Sequence, residues 1–388
     1  MIEITDRHAE EILADARELA FPRYPGTEGD RRAIALVAGK LADSGLEVET
    51  EELTYDIRPA FRAIRALLVA VALLLAFSGL LAGRSPWTAG LLLGLGFAAA
   101  GVFLGWAPWR ERIYAGEGPT RTANLAGRRA VENPRVTVIL LAHHDSKSQN
   151  LTLPWRMGMT LLALACGLTL AVLLLAAAVA GQVPGPPWLP AAVGLTAAAA
   201  LLVLSTLSSG DRSPGGVDNA GSLAIVLKLA ELLPPAGPDD VEWIFLSPGA
   251  EEDHMVGAMR WLDRHRDELR GRPVWSINFD GAGNPGVIAL LERFGFGRAF
   301  SPELSAAARR CAAELDLRVR GVYLPPGMGL DSIPFAHRGF PCLTISSGSL
   351  GRATLAVHSA GDRAELLDRD TLKRAASLGA ALALRMAE

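Results

Sequence analysis

The chain has 388 residues, half of them hydrophobic and a fifth charged, with a formal net charge of -3. That length allows one large α/β domain or two smaller ones, and a pI of about 6.2 excludes the strongly basic patch of an electrostatic nucleic-acid binder. Three widely spaced cysteines, Cys166, Cys311 and Cys342, form neither a disulfide framework nor a CxxC metal site, and the start MIEITDRHAEEILADARELA has no apolar signal-peptide core.

In chain order, Asp6–Leu19 reads as an amphipathic helix. The loop FPRYPGTEGD follows, then a helix over Arg31–Ser44, with Gly45 placed as its C-terminal cap. LEVETEEL alternates as a strand. The mean hydropathy of +0.25 is high for a soluble protein, and the excess sits in long blocks. Four uncharged apolar stretches run over Ala66–Gly83, Thr88–Ala107, Met157–Gly181 and Trp188–Leu207. A helix rises about 1.5 Å per residue, so about 20 residues cross a hydrocarbon core of about 30 Å. Buried core helices are the competing reading, which four uncharged blocks of this length disfavour.

GRSPW joins the first two stretches and QVPGPPW the last two, so each pair is expected to be a hairpin returning to the side it left. Trp87, Trp106, Trp109, Trp155 and Trp188 mark the ends as an aromatic belt would. Arg58, Arg62, Arg65, Arg110, Arg112, Lys147, Arg156 and Arg212 lie on the side of both termini, against Arg84 in a hairpin turn. The positive-inside rule then places the hydrophilic part in the cytoplasm, on an integral membrane protein with four spans.

Between the hairpins, RVTVILLAHHD is a β-branched run typical of a buried strand. After them come the loop SPGGVDNAGS, a helix LAIVLKLAELL, a strand VEWIFLSPGAEE, a helix from near Met255 and a strand PVWSINFDG. FPCLTISSG as a strand and Arg369–Met386 as a helix close the chain. Strands alternating with helices predict an α/β fold, a mainly parallel doubly wound sheet with helices on both faces. Residues 1–62, 108–156 and 209–388 are expected to form one domain, interrupted by hairpins at 63–107 and 157–208.

Polar clusters fall at predicted strand ends, where open α/β sheets bind ligands. In LLAHHDS, His143 and Asp145 suit a metal ligand with a carboxylate orienting its ring, or a polar strand cap. In GGVDNAGS, Asp218 and Asn219 suit a helix N-cap, or Asp218 a carboxylate bridging two ions. Glu251 and Glu252 in SPGAEED repel each other unless a cation or proton intervenes, or else sit at a solvated helix start. Asp280 in INFDGAG and His358 in LAVHSAGD each have a bland reading, a turn residue and a structural histidine. Together, His143, Asp218, Glu252, Asp280 and His358 make a two-histidine, three-carboxylate set suited to zinc, with cobalt or manganese behind it. Glu251 is left over beside a ligand, free to act as a base.

These motifs, AHHDS, GGVDNAGS, GAEE, INFDG and VHSAGD, resemble in order and spacing those of the M28 zinc peptidases, aminopeptidases and carboxypeptidases. PGTEG, ANLAG and LDSIPFAHRGFPCLTI are also similar to that family. The resemblance covers the three hydrophilic pieces and leaves out the hairpins. It implies a zinc exopeptidase fold with two zinc ions: one on His143 and Asp280, the other on Glu252 and His358, bridged by Asp218. Asp145 would orient His143, and Glu251 would be the general base and acid. The expected function is a membrane-anchored aminopeptidase acting on peptides near the bilayer surface. The sequence assigns no oligomeric state. His144 stands where the family often has an aromatic residue, and Ser332 where many members have histidine. His254 reads as a loop residue, and His265 and His337 as surface helix residues. Glutaminyl cyclase-like acyl transfer on one zinc is the alternative, since Asp145–Ser146–Lys147 is shared with those enzymes; a non-catalytic membrane scaffold is another. The absence of charge in the spans disfavours a transporter.

Overall fold

The computed structural model describes residues 2–105 and 116–388. Trp106, Trp109, Arg110, Arg112 and the end of the second apolar stretch lie outside them. The chain forms two compact units, one of Met1–Asp56, Ala115–Ser148 and Gly210–Glu388, the other of Ile57–Tyr114 and Gln149–Ser209.

The first unit is built on a sheet with nine strands among the described residues. They are β1 (Glu47–Tyr55), β2 (Thr120–Arg129), β3 (Val136–Leu141), β4 (Val241–Ser247), β5 (Val274–Phe279), β6 (Ile288–Phe294), β7 (Arg298–Ala299), β8 (Val319–Leu324) and β9 (Cys342–Ser347). Their order is β1-β2-β4-β3-β5-β9-β6-β8, with β7 on β6. The centre, β4-β3-β5-β9, is parallel. Towards the edges the sense reverses: β2 runs antiparallel to both β4 and β1, and β6 antiparallel to β9. β3 and β4 are buried at every position, as strands covered on both faces require.

The helices are α1 (Asp6–Leu19), α2 (Glu28–Asp43), α3 (Arg58–Leu81), α4 (Pro86–Gly105), α5 (Leu153–Ala180), α6 (Leu189–Ser205), α7 (Gly221–Ala236), α8 (Val256–His265), α9 (Pro302–Glu314), α10 (Ser332–His337), α11 (Arg352–Ala356) and α12 (Arg369–Ala387). Alternation along β3 sorts the core into two layers. Val136, Val138 and Leu140 pack with α1, α7, α9 and α12 on one face. Ile139 and Leu141 pack with Trp261 and Leu262 of α8 and Phe335 of α10 on the other. α2 starts three residues earlier than the sequence predicts, because Thr27 accepts from the Asp30 amide and caps it.

The second unit holds α3 to α6. Apolar side chains such as Phe77, Leu91, Val172 and Leu175 are more than half exposed on its surface. Gly79 and Gly194 bring α3 and α6 into backbone contact: a Cβ on Gly79 would lie 2.4 Å from the Pro190 carbonyl oxygen. α3, α4 and α5 are long and apolar enough to cross a membrane. α6 has 17 residues, which at about 1.5 Å each is about 26 Å. It ends at Ser205, short of the predicted Leu207, so among the described residues three helices are of spanning length where the sequence predicts four.

Candidate metal centre

Three of the five predicted ligands follow the carboxyl ends of central parallel strands. His143 comes two residues after β3, Glu252 five after β4, and Asp280 directly after β5. Asp218 lies in the Gly216–Ala220 turn before α7, where Asp218 and Asn219 have non-helical backbone angles and are joined by a cis peptide. α7 has no side-chain cap bond, so Asp218 does not act as its N-cap. Ala250 and His358 hold positive φ, 56° and 61°. Such conformations are uncommon outside glycine and tend to gather at functional sites.

These turns bring all five residues together in two groups that share Asp218. Ligand atoms of His143, Asp218 and Asp280 lie within 4.8 Å of one another, as do those of Asp218, Glu252 and His358. Asp218 Oδ1 is 3.2 Å from His143 Nε2, and its Oδ2 is 3.2 Å from His358 Nε2. Glu252 Oε2 is 3.1 Å from His358 Nε2. Glu251 belongs to neither group, yet its Oε2 is 3.9 Å from His143 Nε2.

The donor set is of a kind that could hold a divalent cation. His143 Nδ1 donates to the Asp145 main-chain carbonyl at 3.1 Å, which leaves Nε2 as the ring's lone-pair atom. That Nε2 is buried and has no hydrogen-bond partner among the described residues. Asp145, Glu251, Glu252, Asp253, Asp331 and Asp362 are buried and Asp218 and Asp280 half-buried. Arg23, buried, and Lys147, half-buried, are the cations beside these carboxylates among the described residues. A cluster so rich in negative charge is stable only with protons or cations added.

The titration behaviour shows the same strain. Burial raises the Glu251 pKa well above the ordinary range; His143 opposes this, and Asp331, Glu252 and Asp280 add to it. Burial and the charge of Asp218 likewise raise Asp280. Burial pushes Asp331 up to about 7, and both its oxygens lack partners among the described residues. Asp218 goes the other way, because His143 and His358 outweigh its burial.

Surrounding groups hold the predicted ligands in place. Asp145 accepts from the amides of Glu251 (3.1 Å) and Glu252 (3.0 Å), tying the β3 turn to the β4 turn. Asn219 donates to the Phe279 carbonyl (3.0 Å) and accepts from the Gly281 amide (3.2 Å), tying Asp218 to Asp280. Asp362 accepts from the amides of Val217 (2.7 Å) and Asp218 (3.3 Å). Lys147 clamps Glu252, with Nζ 2.9 Å from its Oε2 and its amide 3.1 Å from its Oε1. Sequence reasoning gave Lys147, Asp331, Asn219 and Arg23 no role at the metal centre, although each lies inside or beside a motif it singled out. His144 is buried, with Nδ1 3.0 Å from Ser247 Oγ. His265 is also buried, contrary to the surface position predicted: it stacks on Trp261 at 4.6 Å and lies between Glu51 and Glu268.

Residues 194–383 match the model of peptidase family M28. The match starts within α6, and His143 and Asp145 join the centre from outside it. No curated protein matches the chain. Among solved structures, the zinc aminopeptidase BSAP from Bacillus subtilis aligns at a TM-score of 0.57 and 13% identity, over 98% of this chain and 95% of that one. An aminopeptidase from Aneurinibacillus sp. strain AM-1 aligns at 0.57 and 12%, over 97% and 95%. A glutaminyl cyclase from Bacteroides thetaiotaomicron aligns at 0.57 and 12%, over 98% of each chain. At such identities the likeness establishes the fold: a mixed α/β architecture with a mostly parallel central sheet, shared with zinc aminopeptidases.

Proposed function

We propose that the chain is a membrane-anchored zinc exopeptidase that removes N-terminal residues from peptides. The observation that carries this reading is the pair of donor groups sharing Asp218, with Glu251 beside them and outside both. His143 and Asp280 would hold one zinc, Glu252 and His358 the other, and Asp218 would serve both. When bound, such ions acidify a water and polarise the scissile carbonyl.

The chain's own residues supply the rest. Glu251, whose burial favours taking up a proton, accepts one from the attacking water and returns it to the leaving amine. Asp145 fixes the Glu251 and Glu252 amides and faces His143 Nδ1, with Oδ1 3.4 Å away. α3 to α6 anchor the protein as two hairpins, α6 completing the second as a short span. The arginines flanking the spans favour a cytoplasmic peptidase unit.

The test is residue release by detergent-purified protein from unblocked, N-blocked and C-blocked peptides, with zinc and with chelator. Zinc-dependent release abolished by N-blocking supports the aminopeptidase. Release abolished only by C-blocking makes it a carboxypeptidase. Cyclisation of N-terminal glutamine without hydrolysis moves the chain to the cyclase reading. No zinc-dependent chemistry on any peptide refutes the proposal.

A further inference from the structure

One buried cation beside the metal centre has no part in the chemistry above. Arg23 lies in the loop between α1 and α2, wholly buried. Its Nε donates to the His144 carbonyl, its Nη1 to the carbonyls of Phe21 and Pro214, and its Nη2 to the Gly215 carbonyl at 2.9 Å. The main chain adds to the joint. The Arg23 amide donates to Ser146 Oγ (3.2 Å), which donates in turn to the Ser213 carbonyl (2.9 Å), and the Ser146 amide donates to the Arg23 carbonyl (3.3 Å). Three chain segments far apart in sequence therefore meet at one guanidinium. One carries His143 and Asp145, and another leads from Gly215 into Asp218.

Gly215 shows how tight the joint is. It has φ +59°, and a Cβ there would stand 2.6 Å from Ser146 Cβ and 2.9 Å from Arg23 Nη2. Burying a guanidinium is unfavourable unless its donors are used and its charge is balanced. Here four carbonyls take the donors, and the charges of Asp145, Asp362, Asp218 and Glu252 support the cation. A planar fork with fixed donor directions sets carbonyl positions in a way that an ammonium does not.

We infer that Arg23 is a positioning residue of the metal centre: its guanidinium fixes the His143 turn against the Asp218 turn, so that both ligands face one ion. This rests on the metal-site reading proposed above. The 3.2 Å separation of His143 Nε2 and Asp218 Oδ1 is the quantity it sets, and metal sites tolerate displacements of only about 0.5 Å.

The experiment uses the full chain in detergent, stripped with chelator and titrated with zinc against a chromophoric competitor. Arg23→Lys keeps the charge and loses the fork. Ser146→Ala removes only the hydroxyl bridging Arg23 to Ser213, and so carries the test if Arg23→Lys does not fold. Zinc affinity is expected to weaken about 10–100-fold in Arg23→Lys, as for other groups that orient ligands, and in the same direction in Ser146→Ala. The thermal midpoint in chelator should fall little in Ser146→Ala. A wild type that binds zinc, with variants that bind it equally tightly and lose only thermal stability, overturns the inference alone. A wild type that binds no zinc overturns the proposed function, and this inference with it.

Discussion

Replacing Asp145 by asparagine keeps the side chain's shape but changes its charge and its hydrogen-bonding groups. The side chain is wholly buried, and both of its oxygens are committed: Oδ1 to the Glu251 amide at 3.1 Å and Oδ2 to the Glu252 amide at 3.0 Å. An amide supplies only one acceptor oxygen, so its NH2 must oppose one of those N–H groups. A buried donor left without an acceptor costs about 1–3 kcal/mol, and the remaining bond loses its charge assistance. The Glu251–Glu252 turn should therefore shift, and His143 should lose the anion 3.4 Å from its Nδ1. Zinc affinity is expected to fall about 10–100-fold, equivalent to about 1.4–2.7 kcal/mol. Competition titration measures the affinity, and kcat at saturating zinc shows whether geometry is lost as well. An Asp145→Asn protein that binds zinc as tightly and turns over as fast as the wild type would refute this account of the turn.

Glu251→Gln should keep its zinc and lose about 10²–10⁴-fold in kcat; metal content and rate on the same sample check both halves. Gly257→Ala should destabilise the peptidase unit, because its Cβ would lie 2.0 Å from the Gly249 carbonyl oxygen and 2.5 Å from Asn124 Oδ1. Such overpacking costs about 1–3 kcal/mol, readable as a lower urea midpoint; an unchanged midpoint contradicts the packing described. His265 gives a pH signature. Burial works against its charge, but hydrogen bonds to Glu51 and Glu268 outweigh that and raise its pKa. A raised folded-state pKa stabilises fully below the unfolded value of about 6.5, and the gain is lost as pH rises through the folded value. His265→Gln should thus lose most stability against the wild type below about pH 6 and progressively less above; a difference that is flat with pH, or grows as pH rises, argues against the pairing. Finally, the protein should stay in the membrane fraction through alkaline carbonate washing, and its release there would argue against spanning helices.

The centre of the fold was readable because burial on both faces leaves a plain mark: VTVILL and VEWIFLS are apolar at almost every position. The edges were not. β2 (TRTANLAGRR) mixes polar and small residues along an antiparallel ladder, and β8 (VRGVYL) is largely exposed, so neither carries a clear period. The five proposed ligand positions were legible because each sits in a polar turn just after an apolar run or before an apolar helix. Their supports were harder to see, since they act through main-chain groups. Arg23 binds only carbonyls through its guanidinium, and Asn219 an amide and a carbonyl, so no complementary side chain announces either. His265 was misread because its helix is amphipathic, while the partner that buries it, Glu51, comes from a strand over 200 residues earlier.

Counting zinc in ligand variants tests the central claim most directly. The purified wild type should hold two equivalents, His143→Ala and His358→Ala should each retain one, and Asp218→Ala should lose both or bind far more weakly, because Asp218 lies in both donor groups. A wild type that holds a single zinc, indifferent to His143→Ala and lost only in His358→Ala, would contradict the shared two-ion centre and favour single-zinc chemistry on the same fold.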